Sequence, residues 1–240
     1  MNAPGISLHG HVAVGDAPLV PQIALEVAPG SWTCLLGPSG VGKTTLLRLI
    51  AGIADEATLT GTLTASDGAP FKGRVALMAQ SDLLLPWLSV LDNVMLGARL
   101  RAAQPQPKRA AELLAEVGLS DHAAKRPGQL SGGQRQRAAL ARVLMEDRPV
   151  VLLDEPFSAL DARTRAQVQD LTAKLLADHT VLMVTHDPAE AARLGDAILI
   201  LSESGLRMWP APPGAAPRAV DDTKTLETQG ALLATLRGEP

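Results

Sequence analysis

Nine of the 240 residues, GPSGVGKTT at 37–45, carry the spacing G-x-x-x-x-G-K-[ST] through Gly37, Gly42, Lys43 and Thr44. Glycines so placed let backbone N–H groups converge on phosphate oxygens, and a helix beginning there adds the positive end of its dipole. Pro38, Ser39, Gly40, Val41 and Thr45 complete the cradle. Lys43 supplies a full positive charge and Thr44 an oxygen for Mg2+. The match gains weight from its setting, after the apolar run WTCLL and before a segment of helical spacing.

VVLLDEP, at 150–156, sets four apolar residues before Asp154, so that this carboxylate emerges at the end of a buried strand within reach of a metal ion. Glu155 follows at once. A second carboxylate beside the first is suited to polarising a water, which makes Glu155 the candidate general base for hydrolysis.

LSGGQRQR, at 130–137, reads as a helix start. Ser131 and Gln134 have the spacing of a capping box, while Gly132 and Gly133 leave the first N–H groups bare, which makes a second anion site. The bland reading is an ordinary capped helix. One nucleotide does not need two such sites in one chain, unless one of them serves a nucleotide held by another molecule.

His186 follows the apolar run VLMVT, and Asp187, Pro188 and Glu190 after it have the spacing of a helix start. The histidine therefore stands at the carboxyl end of a strand, the edge where open α/β sheets bind ligands. It is expected to contact the γ-phosphate and orient the attacking water. Gln80 ends the run RVALMA, and its neutral amide can bind a metal ion or water. The stretch LLLPWL that follows, at 83–88, is either a docking surface or the core of a subdomain.

These groups need a scaffold. WTCLL, RVALMA, VVLLD, VLMVT and AILIL read as short buried strands, alternating with segments of helical spacing, and together they predict a mainly parallel α/β sheet. ISLHGHVAV, IALEV and TGTLTA predict an amino-terminal antiparallel β-subdomain. Residues 81–147 show helices and no convincing strand, which predicts a helical insertion. Residues 203–240 contain the Pro-rich WPAPPGAAP and a short helix ending in ALLATLRG, whose bland reading is a linker and surface tail. A hydrophobic fraction of 46% and a net charge of −3 fit a globular chain and argue against a dedicated nucleic-acid binder. Cys34, alone in the sequence, can form no internal disulfide.

The segments taken together, in this order, resemble the ATP-binding cassette of ABC transporters: GPSGVGKTT, Gln80, LSGGQ at 130–134, VVLLDE, SALD at 158–161 and His186. The resemblance covers about residues 5–202, so that 1–202 is expected to be the cassette. It implies a P-loop NTPase core of the ABC ATPase type, with ATP and Mg2+ as cofactors and Thr44, Gln80 and Asp154 around the metal. It further implies that two cassettes pack head to tail, each nucleotide lying between one phosphate loop and the partner's Ser131–Gln134 segment. Asp161, whose bland reading is a helix N-cap, would help couple the two sites. Family members usually stack adenine on an aromatic residue, often Tyr, and this chain has none. Val14 falls roughly where that residue would sit, with His9 or His11 as substitutes.

A single short cassette without a membrane span implies separate permease subunits, a substrate-binding protein reached through them, and a peripheral position on the cytoplasmic side of the membrane. QSDLLLPWLSVLDNV is similar to the segment found in importers of nitrate, taurine, sulfonates and thiamine precursors, and leans towards the last. The alternatives are an export or cell-envelope complex and a non-transport ATPase acting on DNA or ribosomes.

Overall fold

Ile6, Leu8 and Val12 recur at even spacing along ISLHGHVAV, and a pleated strand turns such residues to one side. In the computed structural model, which describes residues 3–15 and 17–238, all three are buried in β1 (Ile6–Val14), whereas His9 and His11 are exposed. Strand β1 lies between β2 (Ala17–Val27) and β4 (Ala57–Ala65), antiparallel to both. Strand β2 begins six residues before the predicted IALEV and carries Pro18 and Pro21. It is an edge strand, where a missing N–H is tolerated.

The predicted buried runs form the second sheet. Strands β3 (Trp32–Leu36), β5 (Val75–Met78), β6 (Val150–Asp154), β7 (Thr180–Val184), β8 (Ala197–Ser202) and β9 (Gly205–Trp209) are ordered β5-β6-β7-β3-β8-β9. The β6–β7, β7–β3 and β3–β8 pairs are parallel, and β9 closes the edge antiparallel to β8. That last strand lies within the predicted linker. Side chains of both sheets and of α1 (Lys43–Ala51) meet in one core, with Leu8, Leu25, Leu35, Leu46, Leu152 and Leu182 all buried. Cys34 is fully buried, and burial pushes its thiol pKa far above the usual range, with the Glu190 and Asp196 carboxylates adding to the effect.

Two compact units result. The first takes the described residues up to Leu77, then Pro149–Glu155 and the described residues from Leu176 onward. Besides the sheets and α1 it holds α7 (Pro188–Leu194) and α8 (Thr223–Leu236), which pack on each other. The second unit takes Met78–Arg148 and Pro156–Leu175. It is built from α2 (Val90–Val94), α3 (Leu96–Leu100), α4 (Pro107–Glu116), α5 (Gly132–Met145) and α6 (Ala162–Leu175). Buried Asn93 on α2 accepts from Leu85 N at 2.7 Å and donates to Leu85 O at 3.1 Å, which fixes the LLLPWL segment. Leu84 enters the core of this unit, whereas Leu83 and Trp87 are 61% and 65% exposed. Among the described residues no helix is long and apolar enough to cross a membrane.

Candidate functional site

The turn after β3 is held open by its glycines. A side chain at Gly37 would place its Cβ 2.4 Å from Leu201 O, and Gly42 has φ 106 with Leu19 Cδ2 2.7 Å from where its Cβ would be. Both positions exclude a larger residue, so the backbone can follow the tight path that brings N–H groups together ahead of α1. Lys43 bends back over this turn, its ammonium donating to Gly37 O at 2.7 Å and Pro38 O at 2.8 Å. An ammonium has three hydrogens, so one remains for an anion. Burial lowers the Lys43 pKa, while the Glu155 and Asp154 carboxylates oppose that shift. Pro38–Val41 line an open hollow with Pro18, Leu19 and Glu203, three residues that the sequence reading did not single out.

Thr44, on the first turn of α1, donates through Oγ1 to Asp154 Oδ2 at 2.8 Å. The other Asp154 oxygen, Oδ1, is buried with no hydrogen-bond partner. Burial raises the Asp154 pKa, and the Thr44 hydrogen bond acts against it. A buried carboxylate with one oxygen unsatisfied beside a threonine hydroxyl suits a hard cation that takes one or two protein oxygens and completes its shell from phosphates and water. Among the described residues there is no cluster of three or more His, Cys, Asp or Glu that would make an all-protein cage.

Glu155 begins the segment beyond β6 with φ 50, a left-handed conformation costly for a residue with a Cβ, and its N–H is held by Val184 O at 2.9 Å. Since Asp154 is in register with Val184, the ends of β6 and β7 lie side by side. This brings His186 Nδ1 to 3.1 Å from Glu155 Oε1. Thr185, between β7 and His186, supports the pair: its hydroxyl donates to the buried Glu190 carboxylate at 2.6 Å and accepts from Asp187 N at 3.0 Å. Asp187 caps α7 through Ala189 N, as its position predicts. Glu190 is turned back to Thr185, a role that its spacing from Asp187 does not reveal.

The first unit thus brings together Gly37–Thr45, Asp154, Glu155 and His186. Val14 shares a hollow of about 240 Å³ with Thr45, Arg48 and Ile53–Ala57. His9 is engaged by Glu26 on the exposed side of β1.

The second unit holds Gln80, Ser131–Gln134 and Asp161. Ser131 and Gln134 form the predicted reciprocal cap, with Ser131 N donating to Gln134 Oε1 at 2.8 Å and Gln134 N to Ser131 Oγ at 3.3 Å. The Gln134 amide also meets His122 Nε2 at 3.0 Å, and a histidine eight residues before the motif gives no local signal of that contact. Gln136, buried on α5, donates to Ser158 Oγ and accepts from Ala159 N, which fixes the SALD turn. Asp161 caps α6 by accepting from Thr164 N at 3.0 Å. Gln80 lines a cleft with Asp82, Gly132, Arg135, Gln136 and Ser158.

A family model described as ABC transporter matches residues 20–158, more than half of the chain. The chain belongs to the ABC transporter ATP-binding family. The cassette is 44% identical over 232 residues to the aliphatic sulfonates import ATP-binding protein SsuB of Delftia acidovorans, covering 96% of this chain and 90% of that protein. It is 46% identical over 220 residues to SsuB 1 of Rhodococcus jostii (strain RHA1), covering 91% and 87%. Among solved structures, a dimeric ATP-binding cassette in a post-hydrolysis state with ADP and Pi matches with a TM-score of 0.72 at 28% identity, covering 89% of this chain and 99% of that one. As a cassette of this family the chain is an ATP hydrolase serving transport.

Proposed function

We propose that the cassette powers uptake of an aliphatic sulfonate, working as one of a pair of cassettes on permease subunits at the cytoplasmic face of the membrane, with a substrate-binding protein delivering the solute. The names of the SsuB relatives support the solute, and favour sulfonates over the thiamine precursor towards which the QSDLLLPWLSVLDNV segment leans. The exposed Leu83 and Trp87 are the surface offered to a permease.

The observation that carries the hydrolytic reading is the 3.1 Å approach of Glu155 to His186, beyond the ends of neighbouring strands. Glu155 takes the proton of a water whose oxygen attacks the γ-phosphorus, while the bond from that phosphorus to the bridging oxygen breaks and ADP leaves with the electron pair. His186 orients the water and the γ-phosphate. Lys43 and the Gly37–Thr45 amides hold the phosphate charge, and Gln80 fixes the metal-side water. Asp154 and Thr44 would hold Mg2+, which when bound would neutralise charge on the phosphates. Val14 forms an apolar wall for the base. The Ser131–Gly133 N–H groups of one copy face the nucleotide of the other, and Asp161 lies at that junction. ATP then joins the two copies, and a ligand bound more tightly by the joined form shifts the permease with it.

The reading is tested by uptake of a radiolabelled alkanesulfonate in cells whose chromosomal copy carries Lys43→Ala. Uptake should be lost, and uptake at the wild-type rate would refute the sulfonate assignment.

A further inference from the structure

The Pro-rich segment after the sheet is absorbed neither by the phosphate loop nor by the permease surface, yet it delivers one charged side chain deep into the first unit. Arg218 is 6% exposed. Its Nη1 donates to Ala192 O at 3.0 Å and Gly195 O at 2.9 Å, its Nε to Pro213 O at 3.3 Å, and its backbone N to Arg193 O at 3.0 Å. Ala192, Arg193 and Gly195 lie at the carboxyl end of α7, where helix carbonyls lack intrahelical donors and the dipole is negative. Burial lowers the Arg218 pKa, offset by the nearby Asp196 carboxylate, which itself accepts from Trp32 N at 2.9 Å at the start of β3.

The other end of α7 is the turn that carries His186. Glu190, on the first turn of the helix, binds the Thr185 hydroxyl, and that hydroxyl also accepts from Asp187 N. His186 is therefore flanked on both sides by residues tied to one oxygen, whose position depends on where α7 lies. A seven-residue helix spans about 10 Å. A short rigid rod pinned at one end by Arg218 passes its placement to the other.

We infer that Arg218 is a positioning residue for hydrolysis, bracing α7 so that His186 keeps its approach to Glu155, and that the carboxyl-terminal segment is a brace for the catalytic edge. The inference rests on the reading of His186 as a hydrolysis residue.

The test is a double-mutant cycle on ATP hydrolysis by the purified cassette, with Arg218→Ala, Arg218→Lys, His186→Ala and Arg218→Ala/His186→Ala. Arg218→Ala should lower kcat by about 10- to 100-fold, the usual cost of removing an outer partner of a reacting group, with KM for ATP held within about twofold. Arg218→Lys, which keeps the charge and can still donate to carbonyls, should recover part of the rate. In the His186→Ala background, Arg218→Ala should cost almost nothing more, because both act through one side chain. A full additional loss there overturns the brace while leaving the hydrolysis reading intact, as does a raised KM with unchanged kcat. Wild-type kcat in His186→Ala refutes the hydrolysis reading and the brace with it. Should Arg218→Ala not fold, the same cycle run with Arg218→Lys decides the matter by the same criterion.

Discussion

Gln134 Nε2 lies 3.0 Å from His122 Nε2, and the rest of the Gln134 amide determines which of the two donates. Gln134 Oε1 already accepts from Ser131 N, so Nε2 is the NH2 group and His122 Nε2 must be the acceptor. The ring proton of His122 is thereby assigned to Nδ1, from the hydrogen-bond pattern. The histidine thus orients the amide that holds Ser131, the N-cap of α5. His122→Leu should weaken ATP-driven pairing of Glu155→Gln cassettes by about fivefold, the value of one net hydrogen bond. His122→Gln, which restores an acceptor, should pair like the parent. Sedimentation velocity with ATP reads both.

Ser131→Arg fills the mouth of the same capped helix with a long side chain. Nucleotide should bind with unchanged affinity, since the phosphate loop of the same chain is untouched, and pairing should be lost. Titration of a fluorescent ATP analogue, run beside sedimentation, separates the two effects. A variant that still pairs with ATP would sink the reading in which Ser131–Gly133 serve another copy's nucleotide.

Lys43→Ala removes the charge that lies over the loop. Nucleotide affinity should fall at least about 100-fold, as expected for a charge-assisted contact in a partly desolvated site. Isothermal titration calorimetry tests this, and binding at wild-type strength would show that the ammonium stays with the Gly37 and Pro38 carbonyls.

Asp154 offers the opposite case, a residue kept at a cost to stability. Its pKa is raised in the fold, chiefly by burial, so the protonated form is the one that the fold favours. Stability therefore declines as pH rises from the ordinary carboxylate value through the raised folded value. Without nucleotide or metal, Asp154→Asn should be more stable than the parent at pH 7, by roughly 1 kcal/mol, and the difference should vanish below the ordinary carboxylate range. Thermal melts from pH 3 to pH 8 follow it, and an Asn variant less stable at pH 7 would contradict the sign. Hydrolysis should be lost in the same variant.

What could be read from the sequence was local. The phosphate loop, the Ser131/Gln134 box and the Asp187 cap announce themselves because each contact spans a few residues, and the buried strands because VVLLD and VLMVT have no polar face to show. His122 and Arg218 were not legible, since their partners, 12 and 26 residues away, are set by packing after folding, and Glu190 reads as a residue of the helix start rather than as the partner of Thr185. Strand β9 was hidden because GLRMW is short, follows a loop and has no fully buried residue, its pairing being decided by the edge of β8. Leu83–Leu88 mixes two fates that composition cannot separate, Leu84 turning inward and Trp87 outward.

The chain's one cysteine, Cys34, lies sealed within the sheet with its thiol held protonated. For spectroscopy the wild-type cassette is therefore already a silent background: a thiol introduced at Trp87 or Ser39 would be the single reactive group, so one fluorophore can report on the exposed Leu83/Trp87 surface or the phosphate loop without prior removal of native cysteines. The same buried thiol becomes a clock for the sheet itself, because its modification by a maleimide must wait for β3 to open.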